Sequence, residues 1–310
     1  MVEIFLKTLP FFGLIALGFQ AGRTGFFTPE ATAYLTKFVF YFALSAMLFN
    51  FSANLSISEI FNWWFVAAYL WGSGVVYLLA TMVAMTRRIG IAEAAVEAQC
   101  AVIGNTGFLG VPMLVVLMGE AAAGPVLMVL AVDLVVFSSL ITILITGSRD
   151  GRMSLAIFRT VGLGLIRNPM IVAISLGLAF SGLSIPIPDV ANEFLTILGA
   201  AATPGALFAI GASLAGKSAE RMSVAGWLSF CKLVLHPAAV ALAALVLIPV
   251  ARFDAAVMIA AASLPVAGNV YILAQHYGVA PQRVSASILI STMVSILSVS
   301  LVIAWVTPLL

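Results

Sequence analysis

Charge is what this chain has least of: Asp, Glu, Lys and Arg together make up 8% of its 310 residues, where a soluble domain carries about 25%. Histidine stops at His236 and His276, and cysteine at Cys100 and Cys231. Each shortage excludes something. Two histidines and no CxxC spacing offer no metal cluster, so neither a metal nor a cofactor is expected. The 14 Lys and Arg are scattered singly and in pairs, without the stripe that nucleic acid requires. HExxH and GxSxG are absent, and no motif announces a nucleophile beside its base, so an enzyme is not expected. Both cysteines lie inside apolar runs and read as small buried hydrophobes.

What is present is hydrocarbon: 63% of the residues are hydrophobic. This is the composition of an integral membrane protein. A spanning helix takes about 20 apolar residues, leaving room for roughly ten spans with their loops. Apolar runs fall at 4–21, 31–50, 61–85, 92–118, 122–146, 168–183, 190–214, 223–249, 255–276 and 283–307, with no hydrophilic linker between them. The first, LPFFGLIALGF after Lys7, reads as a span and not a signal peptide, because Glu3 precedes it and no A-x-A site follows.

Positive residues test this layout, since they collect on the cytoplasmic side. Connections after odd-numbered spans carry Arg23, Arg87, Arg88, Arg149, Arg152, Arg159, Arg167, Lys217, Arg221 and Arg283; the opposite side carries Lys7 and Arg252. The bias puts both termini outside. In RMSLAIFRTVGLGLIR, Arg152, Arg159 and Arg167 are seven and eight residues apart, on one helical face. That segment is expected to be an amphipathic helix on the cytoplasmic surface. It ends at RNP, where Asn168 can cap and Pro169 can open the next span.

Ten spans divide into 1–150 and 168–310, joined by 151–167, and five spans per half make the halves oppositely oriented. The fourth span of each half is interrupted, by GNTGFLGVP (Gly104 to Pro112) and by SLPVAGN (Ser263 to Asn269). Proline inside a helix costs about 3 kcal/mol, and unwound backbone survives in hydrocarbon only where protein buries it or a polar cavity borders it. A helix restarting beyond a break presents free N–H groups and a positive dipole end, suited to a carboxylate. Candidate substrate-binding residues are Asn105, Thr106, Gly107, Pro112, Pro265 and Asn269. Simple kinks packed by small residues remain the alternative.

Three more polar residues lie within spans. Lys232 and Asp133 each cost roughly 2.5–3.5 kcal/mol at a helix centre, so both must face protein or water. His236 follows Lys232 by four residues, on the same face. Lys232 reads as a cation near an anionic substrate or a member of a proton relay, Asp133 as an ion-coupling group or a structural partner, and His236 as a packing residue or an ion-coupling group. Glu97, Gln99 and Lys37 are explained by snorkelling to the interface, and His276 is placed near the outer end of the ninth span.

Together GNTGFLGVPML, RNPMIVAISLGL, PGALFAIGASL, KLVLHP and SLPVAGNVYILAQHYG resemble the auxin efflux carrier family, in particular its bacterial members described as malonate or organic-anion transporters. The resemblance spans the chain. It implies an all-α, ten-helix fold of two inverted five-helix repeats, like that of the bile-acid/sodium symporters, with the broken fourth and ninth helices crossing at Pro112 and Pro265. It further implies a scaffold of spans 1, 2, 6 and 7, elevator-type carriage of a small organic anion, a homodimer and, for the bacterial members, the inner membrane. A proton or sodium ion is the expected coupling ion. The long cytoplasmic loop of many plant members is absent, so auxin is not expected as substrate, and Ser45 in FALSAMLF stands where many members have proline. The competing expectation is a membrane sensor that binds a ligand without moving it; a channel would need a continuous polar pore.

Overall fold

The computed structural model describes residues 2–55, 62–150, 155–216 and 222–309. Arg152, Lys217 and Arg221, part of the charge bias above, lie outside the described residues. Among those described, the regular secondary structure is helical apart from one isolated antiparallel bridge, Gly104 to Val266.

The helices are α1 (Val2–Arg23), α2 (Pro29–Ala53), α3 (Trp63–Thr86), α4 (Ile91–Val102), α5 (Thr106–Met118), α6 (Glu120–Arg149), α7 (Leu155–Arg167), α8 (Pro169–Gly182), α9 (Asp189–Leu214), α10 (Met222–Leu247), α11 (Arg252–Ala262), α12 (Gly268–Tyr277) and α13 (Pro281–Val306). Seven described helices are long and apolar enough to cross a membrane, and an eighth crossing results if α7 and α8 count as one. α4 with α5, and α11 with α12, are interrupted where GNTGFLGVP and SLPVAGN begin to depart from helix.

Local chemistry sets the helix starts. Thr28 accepts a hydrogen bond from Ala31 N at 3.2 Å ahead of Pro29, and Asn62 accepts from Trp64 N at 2.9 Å. Asn168 accepts from Met170 N at 3.0 Å, and Pro169 opens α8, as RNP predicts. There the chain turns by 71° between α7 and α8. α7 exposes Arg159 and Arg167 together with Leu163 and Ile166, which suits a surface helix touching both headgroups and acyl chains.

Two packed groups emerge. α1 lies along α9, and α2 along α8 and α9. The first pair approaches closely because it meets on glycines: a Cβ on Gly18 would sit 2.1 Å from the Phe208 carbonyl oxygen, and one on Gly211 would sit 1.9 Å from that of Ile15. Between apolar helices in lipid, such backbone proximity supplies the dispersion that drives association. In the second group α3 packs on α4 and α10, α10 on α11 and α13, and α6 on α4 and α11. α4 is buried without interruption from Ala94 to Val102, and α11 from Ala255 to Ala262. Helices buried on all sides belong at the centre of a bundle. Both run straight into the two breaks.

Candidate functional site

α4 ends at Val102 and α11 at Ala262, and the extended residues after each run past one another in opposite directions. Asn105 N–H donates to Pro265 O at 2.8 Å, and Ala267 N–H donates to Ile103 O at 3.1 Å. Val266 N–H, on the other edge, donates to Ser291 Oγ of α13 at 3.0 Å. The breaks therefore satisfy one another's backbone, with a serine completing the set. This is how unwound chain survives at membrane depth.

Two helix C-termini now face the crossing, and a buried cation answers that of α11 beside Gly104. Lys232, fully buried, donates from Nζ to the Ala262 carbonyl at 2.5 Å and lies 3.1 Å from His236 Nδ1. Its Nζ is also 3.3 Å from where a Cβ on Gly104 would stand, so a side chain there would press on the Lys232 head. A positive charge at C-terminal carbonyls is favourable. His236 Nε2 is 2.9 Å from Ser73 Oγ. Tyr69 packs its ring against His236 and donates its hydroxyl to Asp133 Oδ1 at 2.8 Å. Lys232 lies in a π turn, Cys231–Leu235, and Asp133 opens another, Asp133–Phe137; such widened turns are frequent at functional sites.

On the other face of the crossing are two cavities. A small one, with about 20 Å³ open to the centre of a water molecule, is bordered by Gly104, Asn105, Gly107, Asp133 and Asn269 among others. A large one of about 1380 Å³ also reaches Asn105 and Asn269 and extends to Arg23, Lys37, Arg167 and His276. Among the described residues bordering it there are three permanent cations and no Asp or Glu. α12 and α5 begin here, at Gly268 and Thr106, and their first N–H groups have no acceptor within their own helices.

Asn105, Gly107 and Asn269 thus share one place with Asp133, while Pro265 builds the crossing beside them. Thr106 and Pro112 do not border either cavity. The Thr106 hydroxyl is buried, 3.5 Å from Gly104 O. Pro112 is in the first turn of the regular helix Val111–Met118, after the π turn Thr106–Gly110. The chain unwinds at 103–105, so the crossing sits there and not at Pro112. Lys232 and His236 border neither cavity; they hold the crossing from behind.

Three polar residues are corrected outright. Glu97 does not snorkel: at 1% exposed it is clamped by Arg283 Nη1 at 2.9 Å and by Arg87, with Glu93 also 2.9 Å from Arg283. Gln99 is equally buried. His276 lies at the arginine-bearing end and not the outer one, since Arg149 donates to the carbonyl of its neighbour Tyr277 and the large cavity joins His276 to Arg23 and Arg167.

The sequence reading missed Ser291, Tyr69 and Ser73. Ser287, Ser291 and Ser295, four residues apart in an apolar span, were the available sign of a polar face turned inward. Nothing local marks Tyr69 or Ser73.

Comparison with known proteins meets this geometry at the level of family. The sequence profile described as "Membrane transport protein" matches residues 3–151 and 147–303. The chain belongs to this membrane transport protein family, that of the auxin efflux carriers. Among relatives of this transport family, a protein of Rhizobium meliloti (strain 1021) named "Putative malonate transporter" is 31% identical over 306 residues, 97% of this chain and 95% of its own. The "Lysosomal cholesterol signaling protein" of Mus musculus is 27% identical over 230 residues, 70% of this chain but 26% of its own. The chain is accordingly a multi-pass membrane transport protein.

Proposed function

We propose that the chain is a secondary carrier for a small organic anion, a mono- or dicarboxylate such as malonate, bound where Asn105 and Asn269 meet the first turns of α5 and α12. The observation that carries this reading is the large cavity, with Arg23, Lys37 and Arg167 along it, no carboxylate among its described residues, and the crossing at its floor. Cations without counter-charges along a low-dielectric cleft raise the local anion concentration. At the floor, paired helix N-termini and amide side chains replace the hydration of a carboxylate. The name of the Rhizobium meliloti relative supports malonate as the first substrate to try.

The mechanism that fits is elevator-type alternating access. α1, α2, α8 and α9 would form the scaffold, and the group around α4, α5, α11 and α12 would carry the anion past it. In this reading the fold is ten spans in two inverted repeats, 1–150 and 168–310, working as a homodimer in the bacterial inner membrane with both termini outside. A proton or sodium ion drives it. Lys232 and His236 keep the crossing intact during movement and are not substrate contacts.

The test is uptake of radiolabelled malonate by purified protein in liposomes. Saturable uptake is expected, with Asn105→Ala and Asn269→Ala each lowering kcat/KM at least tenfold and Arg167→Ala raising KM several-fold at nearly constant kcat. Transport that does not saturate would point to a channel, and normal transport by both asparagine variants would remove them from the site. A second reading, ligand sensing without translocation, has the likeness to the lysosomal signalling protein behind it. Tight malonate binding with no accumulation in sealed vesicles would favour it.

A further inference from the structure

Two buried oxygens at the crossing have no hydrogen-bond partner: Asp133 Oδ2 and Asn269 Oδ1. Asp133 is 3% exposed, and both residues border the same small cavity, which accommodates one water-sized body. Unsatisfied buried polar atoms are rare and costly, so each asks for a partner the chain itself does not supply. Two side-chain donors behind the crossing are committed elsewhere. Tyr69 gives its hydroxyl hydrogen to the other Asp133 oxygen, and Lys232 is engaged by Ala262 O and His236.

What remains is a pair of acceptors, one of them a carboxylate, beside the C-terminal, electronegative end of α4 at Ile103 and Gly104. Buried acceptors that no hydrogen bond answers attract a cation. Among the described residues bordering the cavity only Asp133 is a carboxylate, too little charge for a divalent ion that takes six to eight oxygens, several of them carboxylate. The cavity shares Asn105 and Asn269 with the large one, through which water can complete a coordination shell.

We propose that Asp133 and Asn269 form a binding site for a single sodium ion at the crossing, with Asp133 Oδ2 and Asn269 Oδ1 as its side-chain ligands. The inference rests on the carrier reading for its consequence, namely that sodium binding organises α12 beside α6 where the anion is received. Its geometry stands apart from that reading. A sodium ion there would draw Asn269, in the first turn of α12, toward Asp133 of α6. Anion affinity would then rise with sodium, because a ligand that favours the binding-competent arrangement lends its free energy to the second ligand.

The experiment is thermal unfolding of the full purified chain in detergent, with sodium chloride titrated against choline chloride at constant ionic strength and potassium chloride as a second control. Expected is a saturable rise in Tm with sodium, smaller with potassium and absent with choline, because a ligand that binds only the folded state stabilises it with the logarithm of its excess. Asp133→Asn and Asn269→Ala should each move the half-saturating sodium concentration up at least tenfold. Identical wild-type melting in sodium and choline overturns the site whatever the variants do, and so does a full sodium response in both variants. If a variant does not fold, the wild-type titration decides. Malonate uptake indifferent to sodium would leave the carrier and sink this site, whereas a sodium shift in a protein that moves no anion would keep the site and sink the carrier.

Discussion

An ammonium held 2.5 Å from a helix-terminal carbonyl and 3.3 Å from the position of a glycine Cβ couples the two residues on either side of it. Gly104→Ala asks the Lys232 head to give way by a few tenths of an ångström, and Lys232→Ala orphans the Ala262 carbonyl at about 1–3 kcal/mol. Each variant should unfold at lower temperature than the parent. In the double variant the losses should fall short of additive by more than about 0.5 kcal/mol, as contacting residues do; strict additivity in chemical denaturation would separate the two. Sequence inspection picked out Lys232 because a cation in hydrocarbon is conspicuous, and it offered a place near an anionic substrate or in a proton relay. Its true partner, a carbonyl 30 positions along the chain, carries no mark in the sequence.

Among the elements, the broken helices were the most legible, because glycine and proline in an apolar run admit few explanations. Their detail was not. Pro112 catches the eye, yet proline is tolerated in a first helical turn, while the unremarkable stretch from Ile103 to Asn105 is extended because its N–H and C=O groups find partners on the other break. Ser291 belongs to this scale, as the piece of α13 that holds the crossing. Ser291→Ala should cost about 1–3 kcal/mol by stranding Val266 N–H, measured as a lower unfolding midpoint, and Ser291→Thr should recover most of it. The α1–α9 pair makes a different claim. Gly211→Leu cannot be fitted against the Ile15 carbonyl, so it should block recovery of folded protein, whereas the same change at Gly13, with nothing within 4 Å, should be tolerated.

For the molecule as a whole, the decisive object is the cavity that runs from Arg23 and Arg167 to the crossing. Its accessibility can be measured directly, since Cys100 and Cys231 are both buried and should be silent toward aqueous reagents. Thr142→Cys, which borders the cavity, should react with a charged maleimide from the membrane side that carries Arg23 and Arg167, and more slowly when malonate is in excess. Labelling only from the opposite side, or a rate unmoved by malonate, would contradict the cavity as the route of the anion.

Composition alone settled that the chain lives in a bilayer, because hydrophobicity and scarce charge are sums over residues and need no geometry. Periodic interruption marked the two breaks, and family motifs carried the expectation of transport. Burial of Glu97 between two arginines, the retreat of Lys232 behind the crossing and the meeting of Asp133 with Asn269 were decided by tertiary structure alone. The reason is physical: in hydrocarbon every polar group must be answered by some other group, and which group answers depends on helices distant in sequence packing side by side.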